Sequence, residues 1–319
     1  MAETVLKVNQ LSKHFPVARK QTLQAVNDVT FDVNKGEIFG LVGESGCGKS
    51  TIGRTIMGLY NKTSGQVLYD GEDIHAFTEK ERFKFLRKMQ MIFQDPYMSL
   101  NPRFTVREIL ADVMDVHRLY NSKKDVLDKT HELLEEVGLS RDHVSRYPHE
   151  FSGGQRQRIG IARSLALKPE FIIADEPISA LDVSVQAQVN NLLKRLQEEK
   201  NLTFIFIAHD LSMVKQISDR IGVMYLGNLV ELTKSNELYR SPLHPYTQAL
   251  LSAIPIPDPD IEEVRERIIL QGDLPSPINP PSGCVFRTRC QHAMAICSEV
   301  KPEWKEIEND HFVACHLYN

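Results

Sequence analysis

The run Gly43-Glu44-Ser45-Gly46-Cys47-Gly48-Lys49-Ser50 fits G-x-x-x-x-G-K-[ST], a phosphate-binding loop or P-loop. Its residue types follow from that task. Glycines let the backbone bend so that successive N–H groups point at one anion, and the positive end of the following helix adds to the field. Lys49 would reach the outer phosphates and Ser50, followed by Thr51, would ligate Mg²⁺. A second group of candidates is Asp175-Glu176, which closes the apolar run Phe171-Ile172-Ile173-Ala174. Asp175 can hold Mg²⁺ directly or through water, and Glu176 can orient and polarise an attacking water. A solvated acidic pair is the alternative, but acids seldom follow a fully apolar strand without cause.

Three further segments carry chemistry with a plainer reading beside it. Ser152-Gly153-Gly154-Gln155 opens a helical pattern and is either an anion site, with free N–H groups and a small hydroxyl, or a simple N-cap. Gln94 ends the apolar run 89–93 before Asp95-Pro96, and is a Mg²⁺-side residue or a loop glutamine. His209 follows the apolar run Thr203 to Ile207 and is placed for a γ-phosphate, or is structural. Cys47 lies at a helix N-terminus beside Lys49. Both features favour a thiolate, so alkylation by maleimides and protection by a bound nucleotide are expected, against the alternative of an inert, partly buried thiol.

The elements that must position these residues read as an α/β fold. Glu37 to Val42 is a buried strand into the P-loop and Ser50 to Leu59 a helix out of it, the context this motif requires. Short alternating segments from Val5 to Val33 predict antiparallel strands, closed by a turn at Asn34-Lys35-Gly36. Within them Phe15 is a core ring or a base-stacking ring, and burial is the usual fate of an apolar ring. Ser64-Gly65 and Asp70-Gly71 bracket a hairpin strand at 66–69, and Thr78 to Lys88 is a charged helix. From about 96 to 165 helical periodicity replaces the strand pattern, with Val106, Ile109, Leu110 and Val113 on one face, Val126, Leu133, Leu134 and Val137 on a second, and Gly138 as a stop. A long helix with Val185, Val189, Leu192 and Leu196 follows, then Ile221 to Met224 and a hairpin around Gly227-Asn228. Beyond it Pro255, Pro257, Pro259, Pro275, Pro277, Pro280 and Pro281 mark a linker and an irregular C-terminal module. The expected division is 1–254 for the main domain and 255–319 for the module.

At 319 residues with a formal net charge of −4, the chain has room for two cores and lacks the basic excess of a general nucleic-acid binder. No apolar run approaches the roughly 18 residues that span a bilayer, and Met1-Ala2-Glu3-Thr4 does not read as a signal peptide, so a cytosolic chain is expected. Of its five cysteines, four crowd near the C-terminus: Cys284, Cys290, Cys297 and Cys315, spaced C-x5-C-x6-C-x17-C. Disulfides are disfavoured in the cytosol, and four soft thiolates suit Zn²⁺ or an iron–sulfur cluster.

The P-loop, Gln94, Ser152 to Gln155, Asp175-Glu176, Ser179 to Asp182 and His209 occur in the order and spacing of the ATP-binding cassette (ABC) ATPases, which the chain resembles from about Val5 to Leu232. The resemblance implies a RecA-like P-loop NTPase core with an antiparallel β subdomain and a helical insert. It makes Phe15 an adenine-stacking ring where the family often has Tyr, and Gln94 the residue that senses a transmembrane partner. Glu176 becomes the catalytic carboxylate, His209 the switch histidine and Asp182 part of the nucleotide site. It also implies head-to-tail pairing, in which Ser152 to Gln155 of one subunit completes the P-loop site of another. Gln94 to Pro102, His244-Pro245-Tyr246-Thr247 and Gly283 to Cys290 are similar to the ATPase subunits of oligopeptide and dipeptide importers, a look shared by nickel and glutathione importers. That resemblance tilts the cysteine set toward a structural [4Fe–4S] cluster rather than Zn²⁺. The partners it implies are a second ATPase, two membrane permeases and an external substrate-binding protein, at the cytoplasmic face of the membrane. Soluble ABC proteins of repair or translation carry a long heptad insert or two cassettes, and this chain has neither. A small-molecule kinase would leave Ser152 to Gln155 and His209 without purpose.

Overall fold

A computed structural model describes residues 3–17, 21–255 and 267–318; Pro257 and Pro259 of the expected linker lie outside them. The chain forms two compact units.

The unit that carries the P-loop comprises Glu3–Val33, Ile38–His75 and Ala208–Asn319. Its first sheet is antiparallel, with strands β1 (Thr4–Val17), β2 (Gln21–Asn34), β4 (Ser64–Tyr69) and β5 (Glu72–Asp73) in the order β2-β1-β4-β5. Its second sheet runs β11-β12-β10-β9-β3, from β3 (Ile38–Val42), β9 (Arg220–Tyr225), β10 (Asn228–Lys234), β11 (Lys305–Glu308) and β12 (His311–Val313). Every residue of β3 is buried, as expected of a strand covered on both faces, and it pairs in parallel with β9. The β9–β10 turn places Leu226 at φ 45° and Gly227 at φ 77°, the left-handed pair of a tight hairpin. The C-terminal strand β12 pairs with β10, Glu231 opposite Val313. The irregular tail therefore adds two strands to the edge of this sheet.

Helix α1 (Lys49–Ile56) leaves the P-loop. After β10 come α9 (Ser235–Arg240) and α10 (Pro245–Ser252), with α8 (Leu211–Ile217) before β9 and the short α11 (Ile296–Glu299) near the end. The His-Pro-Tyr-Thr run explains the start of α10. His244 is the N-cap, its Nδ1 accepting the Tyr246 N–H at 3.1 Å, and Pro245 sits where a missing N–H costs nothing.

The other unit comprises Asn34–Glu37 and Ala76–Ile207. Three parallel strands, β6 (Met89–Ile92), β7 (Phe171–Asp175) and β8 (Thr203–Ala208), lie in the order β8-β7-β6. All residues of β7 and β8 are buried. Helix α2 (Glu79–Lys88) opens with a Thr78/Glu81 capping box. Between β6 and β7 the chain is helical: α3 (Pro96–Ser99), α4 (Val106–Val116), α5 (Lys123–Glu136) and α6 (Gly153–Leu165). In α4, Val113 is only half-buried and Met114 takes the inward position. Helix α7 (Val183–Lys200) ends at Asn201, φ 50°, a left-handed cap that asparagine tolerates.

Candidate functional site

The P-loop is held in a conformation that only its glycines allow. Gly48 has φ 105°, and a Cβ there would lie 2.1 Å from the Ala25 carbonyl oxygen; one on Gly43 would lie 2.2 Å from the Met224 oxygen. Lys49 is 4% exposed, and its ammonium donates to the Gly43 carbonyl at 2.8 Å and the Glu44 carbonyl at 3.1 Å. This curls the loop around its own cation, leaving an anion to be met by backbone N–H groups at the start of α1. The exposed Ser45 and Gly46 form the outer turn, and Ser50 and Thr51 open the helix half-buried.

Glu44 is tied at two points. Its N–H donates to the Tyr246 hydroxyl at 2.9 Å, and its carboxylate accepts both Arg289 Nη atoms, at 2.8 and 3.2 Å. Burial opposes the charge on Arg289, but hydrogen bonds with Glu44 and Tyr225 outweigh it and hold the guanidinium firmly protonated. Sequence reasoning missed Tyr246 and Arg289 as loop supports. Both belong to runs already noted, 244–247 and 283–290, but nothing in either run points to residue 44.

Cys47 corrects the expected reactive thiol. It is 1% exposed, and burial raises its pKa despite the opposing pull of Lys49, so it is a buried core thiol whose ionisation is disfavoured. Desolvation outweighs the helix terminus here because the side chain points inward, where a Cβ on Gly43 would meet its sulfur at 2.8 Å. Phe15 departs from the core placement favoured by its composition. It is half-buried, edge-on to Tyr60 at 5.3 Å between centroids, with Lys13 Nζ 4.6 Å from its ring centre.

In the other unit, Gln94 and Glu176 come together across 82 residues of sequence, Gln94 Nε2 donating to Glu176 Oε2 at 2.8 Å. Asp175 is fully buried at the end of β7, while Glu176 breaks out of the strand at φ 47°. A non-glycine residue pays roughly 1–2 kcal/mol for that region, the sort of local strain that gathers at functional sites. Two contacts fix the kink: Glu176 N–H donates to Ile207 O at 3.0 Å, and the Ser179 hydroxyl donates to Glu176 O at 3.1 Å. His209 follows β8 and is exposed, as is Asp182 before α7.

Both readings of Ser152 to Gln155 have a physical basis here. Ser152 and Gln155 form a reciprocal capping box, and the exposed Gly153 leaves the helix N-terminus open. Gly154 is required by packing, since a Cβ would lie 2.3 Å from Val185 Cγ1 on α7.

The cysteines Cys284, Cys290, Cys297 and Cys315 line one small cavity together with His292 and His316. Burial raises Cys284, Cys290 and Cys315, the last to about 11, and the neighbouring thiols add to each shift. None of the five cysteines is in a disulfide. Among the described residues, no group of three or more His, Cys, Asp or Glu side chains is arranged to hold a metal ion. Likewise, no helix among them is long and apolar enough to cross a membrane.

The family described as "ABC transporter" matches residues 26–179, and the one described as "Oligopeptide/dipeptide transporter, C-terminal region" matches residues 230–297. Among relatives, YkfD of Bacillus subtilis (strain 168), named provisionally as an oligopeptide transport ATP-binding protein, is 68% identical over 314 residues, 98% of this chain and 95% of that protein. The chain belongs to the ABC transporter ATPases. The oligopeptide transport ATP-binding protein OppF of the same organism is 64% identical over 84% of this ABC ATPase and 88% of its own length. AppF, of the same description and organism, is 56% identical over 99% and 98% respectively. Among solved structures, a dimeric post-hydrolysis state of the ATP-binding cassette MJ0796 bound to ADP and Pi superposes with a TM-score of 0.66 at 29% identity. The match covers 72% of this chain and 98% of that one. The P-loop NTPase fold and ATP hydrolysis follow from this membership.

Proposed function

We propose that this chain is the ATP-hydrolysing subunit of an importer for di- or oligopeptides. It pairs with a second ATPase subunit, identical or different, and docks on two membrane permease subunits at the cytoplasmic face, supplied by an external substrate-binding protein. The observation that carries this reading is near full-length identity, at 56–68%, to proteins named for oligopeptide transport, together with the match of the C-terminal region. These names favour peptides over nickel or glutathione.

Within that function, Lys49 and the N–H groups of residues 45–50 hold the phosphates, and the half-buried ring of Phe15 stacks on the base. Ser50 in the unit that carries the P-loop, and Asp175 and Gln94 in the other unit, each offer an oxygen of the kind Mg²⁺ takes, and the ion would supply charge neutralisation at the phosphates. Glu176 polarises the attacking water, Gln94 sets the position of its carboxylate, and His209 senses the outer phosphate. Ser152 to Gln155, with Asp182, serves the nucleotide of the paired subunit. Deleting the gene should abolish growth on an essential amino acid supplied only as a di- or oligopeptide, and the wild-type chain, but not Lys49→Ala, should restore it. Unimpaired peptide uptake in the deletion strain would refute the assignment.

We propose further that Cys284, Cys290, Cys297 and Cys315 hold a structural [4Fe–4S] cluster. Four soft donors on one cavity support this, and burial that disfavours lone thiolates is offset when a cation binds them. Such a group supplies folding free energy to a Pro-rich tail. Anaerobic purification should give a brown protein absorbing near about 400 nm, bleached in Cys290→Ser. A colourless protein with one equivalent of zinc would refute the cluster while keeping the ligands.

A further inference from the structure

Glu44 is an acid inside a loop whose task is to bind an anion. A free carboxylate there opposes the phosphates, and at the low effective dielectric of a partly buried site that opposition is not screened away. Arg289 answers it from 245 residues downstream with a two-point fork, and the pair is largely shielded, its side chains 10% and 27% exposed. Both anchor segments are firmly packed. Phe286, 1% exposed, meets Tyr225 at 5.1 Å and Tyr246 at 5.4 Å, and Tyr246 carries the hydroxyl that accepts the Glu44 N–H. The Arg289 guanidinium carbon lies 5.9 Å from the Tyr225 ring centre. Cys284, Cys290 and Cys297 bracket Phe286 and Arg289 in sequence, and the backbone N–H of Cys284 donates to the Cys297 carbonyl at 2.8 Å.

We propose that Arg289 is a positioning residue for the nucleotide: by neutralising Glu44 and fixing the first turn of the P-loop, it makes triphosphate affinity depend on the folded cysteine-bearing segment 284–297. What changes is whether the loop presents a cation and N–H groups to the phosphates or an uncompensated acid beside them.

The inference rests on the P-loop holding a nucleoside triphosphate. The test is equilibrium binding of a fluorescent ATP analogue with Mg²⁺ to the full chain, with a thermal melt of each variant. Arg289→Ala should weaken binding about 10-fold, equivalent to about 1.4 kcal/mol. Glu44→Gln alone should stay within about 2-fold of wild type, and Glu44→Gln with Arg289→Ala should return to that level, because no acid is left to neutralise. A merely structural Arg289 would leave the double variant as weak as the single one, and that result overturns the proposal. Arg289→Lys keeps the charge but loses the fork, so it should lose about 3-fold, more at high salt; it decides the matter if Arg289→Ala does not fold. Wild-type affinity in both Arg289 variants overturns the inference alone, whereas a wild type that binds no triphosphate overturns the nucleotide reading with it.

Discussion

Lowering the pH should destabilise the unit that carries the P-loop, and His244 should account for a measurable share. The imidazole is 1% exposed, and burial pushes it from 6.5 down to about 4, with Glu231 pulling the other way. The folded-state value lies below the unfolded one. As pH falls through about 6.5 the unfolded chain takes up a proton that the folded chain refuses, so stability present above that value is lost progressively down to about 4. That gap, at about 1.4 kcal/mol per pH unit, sets a ceiling of about 3 kcal/mol, of which about 2 kcal/mol falls between about pH 7 and pH 5. His244→Asn removes the titrating ring yet keeps an oxygen to accept the Tyr246 N–H at the start of α10. At pH 7 the variant should be the less stable protein, because asparagine fills less of the space beside Phe286, whose ring centre lies 5.6 Å from the imidazole. Toward pH 5 it should decline less, narrowing the gap by about 2 kcal/mol. Urea unfolding of both proteins across that range measures this directly, since the two chains differ at this one side chain. Parallel declines would show that His244 is not held neutral in the folded state.

Glu176→Gln keeps an oxygen to accept the Gln94 hydrogen bond but not the charge that polarises water, so ATP turnover should fall about 10²- to 10⁴-fold while MgATP still binds; near wild-type turnover in the partner-bound enzyme would remove Glu176 from its role. Cys47 should resist maleimide in the native chain, with or without ATP, and react on unfolding in urea; rapid native labelling at that residue, mapped by mass spectrometry, would contradict its burial. Gly48→Ala meets both a left-handed φ of 105° and a 2.1 Å approach to the Ala25 oxygen. It should abolish nucleotide binding or lower stability by more than about 2 kcal/mol, and a variant with native binding and melting would mean the loop tolerates another shape.

What the sequence determined by itself were the features whose physics is local. The P-loop glycines, Lys49 and Ser50 sit within eight residues, so spacing alone states their chemistry, and the largely apolar runs before Asp175 and His209 declare buried strands with a polar residue at the end. Helix starts such as Thr78 and Ser152 were equally legible, because a cap bonds to a backbone three residues away. Tertiary structure decided everything that depends on which distant groups share a low-dielectric space. Cys47 carries a reactive thiol's sequence context, but burial reverses its pKa; Phe15 carries a core residue's composition but rests half-buried against Tyr60. The Gln94–Glu176 contact and the Arg289–Glu44 fork join residues 82 and 245 positions apart. No periodicity encodes such pairs. They form because packing a chain into compact units brings together side chains whose charges and hydrogen-bonding needs must then be met by one another rather than by water.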